Sequence, residues 1–345
     1  MTGQIAKNDL QGFLEYLGGE RTLVCPVDTG KVVEFQKVTS SETPVDGCDA
    51  NINSFLMDDR VSYKSIKEFY FPQTELMFTF DNEDVIDNTN LQGYAIFGAR
   101  PCDLEALRVM SIVYSTGKYT DPFFQRRFDA NFLIGVGCIG NKPGCFCREM
   151  GVDKDFSDFC DIMLTDNGES YIVMHLSEKG NRELDKYHAE KANAQSTGEP
   201  SPCVKPSPCF ILDTEKDDAF YFDIIDWKKV TEACKGCGIC TYICPTCYCF
   251  DFKDVPQKGI AERYKCWDSC MYPKFTLHAS GHNPRNKRHE RYRQRVLHKY
   301  KYVPNNFDGV VSCTGCGRCV RSCPVGVNIR EIVHEIADRS RNDEK

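Results

Sequence analysis

The residues best able to do chemistry in this 345-residue chain are its 21 cysteines. Cys234, Cys237, Cys240 and Cys244 run as Cys-x2-Cys-x2-Cys-x3-Cys before Pro245, and Cys313, Cys316, Cys319 and Cys323 repeat the run before Pro324. Three thiolates two residues apart wrap a tight loop around one iron–sulfur cubane, while the fourth, carried into a helix by its proline, reaches the other cluster. The spacing therefore assigns one [4Fe-4S] centre to Cys234, Cys237, Cys240 and Cys323, and a second to Cys313, Cys316, Cys319 and Cys244. Gly236, Gly238, Gly315 and Gly317 supply the left-handed turns such loops need. A zinc ribbon needs only two Cys-x2-Cys pairs, which would strand four ligands and leave the Cys-Pro endings unexplained. A radical S-adenosylmethionine frame over Cys240, Cys244 and Cys247 ignores Cys234 and Cys237 and has no counterpart in the second run. Two adjacent clusters without a substrate pocket of their own imply electron transfer.

The same logic extends to the remaining thiols. Cys102 follows one apolar strand, Cys138 ends another, and Cys145 and Cys147 lie in the next loop. Strand ends of one parallel sheet emerge on one edge, where α/β folds place ligands, so these four are candidates for a third cluster. Cys102 also precedes a helix whose amino-terminal dipole favours thiolate. Cys247, Cys249 and Cys270, with Cys266 nearby, are candidates for further ligation. Cys25, Cys48, Cys160, Cys203 and Cys209 read as structural or surface thiols.

The elements that must position these residues follow from the patterning. Leu10, Phe13, Leu14 and Leu17 recur at helical spacing, and TLVCPVD with KVVEFQKV forms a hairpin. A strand covers 76–80, and 39–54 is a polar loop. YAIFGA, DLEALRVMSIVY and NFLIGVG read as strand, helix and strand of a right-handed crossover. DIMLTD and SYIVMH flank Asn167-Gly168 as a second hairpin. The polar, helix-prone stretch from 176 gives way to the proline-spaced EPSPCVKPSPC. The expected fold class is an α/β (α+β) N-terminal domain with a parallel-strand crossover unit over residues 1–198. A linker or surface loop (199–225) leads to a ferredoxin-like dicluster 4Fe-4S domain over 226–345, with a long basic and aromatic insert at 250–305.

Composition narrows the function. The net charge of −7 argues against whole-surface binding to nucleic acid or anionic lipid. No apolar run would span a bilayer and the N-terminus has no signal-peptide pattern, so a cytoplasmic location is expected, where this many cysteines bind metal rather than form disulfides. Gly-x-Gly-x-x-Gly at 135–140 lacks the helix a dinucleotide site requires, because Asn141-Lys142-Pro143-Gly144 breaks one; no flavin or NAD(P) is expected in this chain. Arg285, Lys287, Arg288, Arg291, Arg293, Arg295, Lys299 and Lys301 crowd one segment. Beside anionic clusters they imply charge compensation and partner docking more than nucleic-acid contact. The seven histidines have no metal-binding spacing.

GARPCDLEAL (98–107), CFCREMG (145–151), CKGCGICTYICPTCYC (234–249), CWDSCMYPKFTLHASGHNPR (266–285), RYRQRVLHK (291–299) and CTGCGRCVRSCPVG (313–326) together resemble the iron–sulfur subunit family shared by sulfhydrogenases, as their β subunit, and anaerobic sulfite reductase, as its A subunit. The resemblance implies a hetero-oligomeric complex. In it this subunit relays electrons between a flavin-containing, NAD(P)H-handling partner and a catalytic redox partner such as a hydrogenase, a sulfite reductase or a heterodisulfide-reductase-like subunit. It also implies roles for Cys102, Cys138, Cys145, Cys147, Cys247, Cys249 and Cys270, which lie inside the shared motifs. Cys266 departs from the family pattern, where a basic residue precedes Trp-Asp-Ser-Cys, and so does the segment holding Cys203 and Cys209. Two rivals stand beside the relay: a subunit that itself reduces a small substrate at an unusual cluster, and a nucleic-acid-binding protein with structural clusters.

Overall fold

The computed structural model describes residues 2–39, 50–52, 55, 61–81, 84–89, 93–116, 118–139, 142–190, 212–257 and 259–342. Most of the predicted polar loop, the first half of the linker (199–211) and the thiols of Cys48, Cys203 and Cys209 lie outside these residues. In chain order the strands are β1 (Thr2–Ala6), β2 (Thr22–Asp28), β3 (Val33–Thr39), β4 (Ala50–Asn51), β5 (Thr74–Asp81), β6 (Asp84–Asp87), β7 (Tyr94–Ala99), β8 (Phe132–Val136), β9 (Ile162–Asp166), β10 (Ser170–His175), β11 (Phe250–Gln257) and β12 (Ile260–Trp267).

Eight strands form one sheet in the order β1-β10-β9-β8-β7-β2-β3-β4. Its centre, β2, β7, β8 and β9, is parallel. Both predicted hairpins, β2–β3 and β9–β10, are antiparallel pairs on either side of it. Alternate residues serve opposite faces: Leu23, Cys25, Ala95 and Phe97 join one buried cluster, Val24 and Ile96 the other. The β7-to-β8 crossover carries two helices, Pro101–Ser115 and Pro122–Ala130, where the sequence pattern indicated one. The second opens on Asp121, whose carboxylate accepts from the amides of Phe123 (2.8 Å) and Phe124 (3.0 Å), and Pro122 takes the first helical position.

A four-stranded sheet, β11-β12-β5-β6, draws strands from both sides of the division read at 199–225. β12 pairs with β5 from Cys266–Thr74 to Ile260–Asp81, so the segment following the first cysteine run completes a sheet begun near residue 74. The C-terminal cysteine runs pack instead with helices. Trp227, Tyr292, Val296, Leu297, Ile332 and Ile336 build a third core from helices Trp227–Val230, Arg288–Leu297 and Ile329–Asn342. Among the described residues no helix is long and apolar enough to cross a membrane.

Candidate redox centres

The first cysteine run folds as a loop whose turns are glycine: Gly236 has φ 67° and Gly238 φ 78°, and the short helix Ile239–Tyr242 begins at Gly238. A β-carbon at Gly238 would stand 2.8 Å from the Tyr272 ring, so this position excludes a side chain on contact as well as on backbone angle. The loop encloses a cavity lined by Cys234, Cys237, Cys240 and, from the second run, Cys323, with Met271 and Tyr292 in its wall. Backbone amides point at sulfur: Gly236 donates to Cys234 Sγ (3.4 Å) and Val327 to Cys323 Sγ (3.3 Å). Cys234 is buried and Cys237 is exposed.

Cys244 lies within electrostatic range of Cys313 and Cys316, and Cys319 within range of Cys316. Cys319 also borders the first cavity, which makes the two thiol sets neighbours. Lys299, fully enclosed, donates from Nζ to Cys244 Sγ (3.3 Å), Thr246 Oγ1 (2.9 Å) and the Ser312 carbonyl (3.0 Å). Burial works against its charge, but the sulfurs of Cys244, Cys247 and Cys313 hold its pKa above the ordinary lysine value. A π-helical turn, His298–Tyr302, sets Lys299 at this point.

The α/β sheet brings a further set together. Cys102 is the second residue of helix Pro101–Ser115, at the end of β7, and Cys138 follows β8 with its amide bonded to the Lys154 carbonyl (2.7 Å). Cys145 and Cys138 both act electrostatically on Cys147, which in turn acts on Cys102. This set abuts the second: Cys145 Sγ bonds the Cys316 carbonyl (3.3 Å), Arg321 Nη1 bonds Cys145 Sγ (3.2 Å), and Phe146 donates its amide to the Gly315 carbonyl (2.8 Å).

Cys247, Cys249 and Cys270 gather beside Cys244. The Cys247 thiol neighbours Cys244, and the Cys270 thiol beside Cys249 holds the Cys249 pKa below the ordinary thiol value. Cys266 lies on β12 near Lys253 and Tyr264. Lys67, which the sequence did not single out, spans the group: Nζ donates to the carbonyls of Cys247 (3.0 Å) and Tyr242 (3.2 Å) and stands 3.8 Å from the Trp267 ring centre. Cys25 is a core thiol of the large sheet, and Cys160 is half-buried beneath Gly135. Among the described residues no three His, Cys, Asp or Glu side chains are arranged around a single metal ion.

The basic segment divides. Arg291, Arg295, Lys299 and Lys301 are buried, while Lys287 and Arg288 are exposed. Arg291, Arg295 and Lys299 recur every four residues, the spacing of one helix face, and that face meets the thiols. Asp103 and Arg318 form a buried ion pair that joins the residue after Cys102 to the residue before Cys319; nothing in their local sequence announces it.

Residues 233–327 match the 4Fe-4S dicluster domain family. Over 290 residues the chain is 30% identical to sulfhydrogenase 2 subunit beta of Pyrococcus furiosus, covering 79% of this chain and 82% of that protein. No solved structure matches it.

Proposed function

The chain belongs to the sulfhydrogenase β-subunit family and is an iron–sulfur electron-transfer subunit; from that premise we propose that it relays electrons through three [4Fe-4S] sites in series between a flavin-containing, NAD(P)H-handling subunit and a catalytic redox subunit in the cytoplasm. The proposed ligands are Cys234, Cys237, Cys240 and Cys323 for the first site, and Cys313, Cys316, Cys319 and Cys244 for the second. Cys102, Cys138, Cys145 and Cys147 would hold the third. Cys247, Cys249 and Cys270 are candidates for ligating a further centre next to Cys244.

The donor chemistry supports this reading. Thiols are the ligands such clusters take, and amide donors to sulfur with a buried cation suit the negative charge of a thiolate-bound cluster. When bound, the clusters supply reversible one-electron chemistry. The residues of the chain hold the sites at fixed separation, screen them from water and balance their charge.

The observation that carries the proposal is continuity: Cys319 borders the first cavity, and its neighbour Cys316 accepts a hydrogen bond at its carbonyl from Cys145 of the third set. The test is replacement of Cys237 or Cys316 by Ser in the assembled complex. Transfer between the partners should stop while each partner retains its activity with artificial dyes. Undiminished transfer would refute the relay.

A further inference from the structure

Among the described cysteines Cys237 alone is exposed, and it marks where the first site comes closest to solvent. Its surroundings differ in charge from the protein as a whole. Lys235, next to it but one along the loop, is exposed. The Tyr272 hydroxyl reaches the Cys237 carbonyl (3.5 Å), and exposed Lys274 follows two residues later. Exposed Arg288 donates to the Glu232 carbonyl (2.9 Å), with its Cδ 4.0 Å from the point where a β-carbon on Gly236 would stand. Lys228 and Lys287, both exposed, lie within electrostatic range of His289, the next residue after Arg288. Against these five cations the neighbouring acids are exposed Asp226, which accepts from the Lys228 amide (3.0 Å), exposed Glu232, and half-buried Glu290, which accepts from the Lys287 amide (2.8 Å). Leu277, 48% exposed, adds an apolar contact on the loop after Lys274.

We infer that this face is the docking port for a small acidic electron-carrier protein, which presents its carboxylates to Lys228, Lys235, Lys274, Lys287 and Arg288 and its redox group to the Cys237 edge. The inference rests on the relay reading and adds a further, transient partner beside the two subunits, with the place where it binds and the charge it carries. Three separate segments, 228–235, 272–277 and 287–288, converge on one exposed ligand candidate, and electron-transfer encounters use small interfaces steered by opposite charge. One electron crosses, with no bond made or broken. A carrier that must leave after each turnover is served by a charged rim, which raises the association rate more than it lengthens the complex's life.

The test uses the cluster-loaded protein and a small acidic plant-type ferredoxin whose iron is replaced by gallium, so that calorimetry reads binding alone. Affinity should fall about tenfold or more on moving from low to moderate salt. Replacing Lys235 and Lys274 together by Glu should weaken binding about tenfold at low salt, whereas replacing Lys31 and Lys118, exposed lysines far along the chain, should leave it unchanged. All three proteins should be reduced at one rate by a zwitterionic viologen of zero net charge. Binding that ignores the Lys235 and Lys274 changes, or responds equally to the Lys31 and Lys118 changes, overturns the port. Tighter binding of duplex DNA through Lys235 and Lys274 overturns the acidic-carrier assignment. A wild-type protein whose clusters do not exchange electrons with the neutral viologen fails at the relay itself, and the port falls with it.

Discussion

Arg318 grips Asp103 with two parallel hydrogen bonds, Nη1 to Oδ1 at 2.7 Å and Nη2 to Oδ2 at 2.9 Å, and both side chains are almost wholly enclosed. The rest of the guanidinium is also satisfied, by the carbonyl and hydroxyl of Ser62. The pair therefore ties three distant segments together between Cys102 and the second cysteine run. Replacing Asp103 by Leu, or Arg318 by Met, leaves a buried charge without its partner and should cost about 3–5 kcal/mol, read from anaerobic urea unfolding. The double replacement of Asp103 by Leu and Arg318 by Met should cost less than the sum of the singles, because no unpaired charge remains.

Lys299 places a permanent cation against Cys244 Sγ. Reduction adds negative charge to a cluster, so removing the cation favours the oxidised state. Lys299→Met should lower the potential of the second centre by about 60–130 mV, the equivalent of the roughly 1.5–3 kcal/mol carried by a hydrogen bond from a charged group. A redox titration followed by electron paramagnetic resonance checks this, and an unchanged potential would remove Lys299 from the electrostatic account.

Gly315 combines a positive φ of 62° with close approach to the loop of the third set: a β-carbon there would stand 2.6 Å from the Phe146 carbonyl and the Cys147 amide nitrogen. Gly315→Ala should therefore push the Cys145–Cys147 loop away and cost roughly 1–3 kcal/mol. Iron bound by the α/β half should fall in this variant before iron bound by the C-terminal runs, as metal analysis of Gly315→Ala against wild type would show.

These relationships also mark how far the sequence is legible. The cysteine runs, their prolines and the strand-helix-strand pattern at 94–136 are local, and local spacing reads them. The i, i+4, i+8 repeat of Arg291, Arg295 and Lys299 carries a helical-face signal that points inward once thiols are sought as its partners. Asp103 and Arg318 are 215 positions apart, and Lys67 reaches the Cys247 carbonyl across 180; neither pairing leaves a periodic trace. β12 resists reading for a related reason. Its partner is β5, and its burial gives no clean alternation: Lys265 is buried and the other seven residues, Cys266 among them, are half-buried.

Burial and the adjacent Lys299 charge lower the pKa of His298 from 6.5 to about 4, and its Nε2 faces the Tyr248 hydroxyl (3.5 Å). The unfolded chain takes up this proton below about 6.5 and the folded chain only near 4, so stability declines as the pH falls through that window. The contribution is at most about 3 kcal/mol. His298→Asn should flatten the acid limb of the urea midpoint between pH 6.5 and pH 4, and an identical slope in the variant would count against a neutral buried imidazole.

A relay that runs the length of this chain requires three iron–sulfur sites in it. Iron, acid-labile sulfide and zinc per chain, measured after strictly anaerobic purification, test it. About twelve irons with matching sulfide and no zinc are predicted. About eight irons would confine the clusters to the two cysteine runs and contradict a relay that extends through Cys102, Cys138, Cys145 and Cys147 into the α/β half.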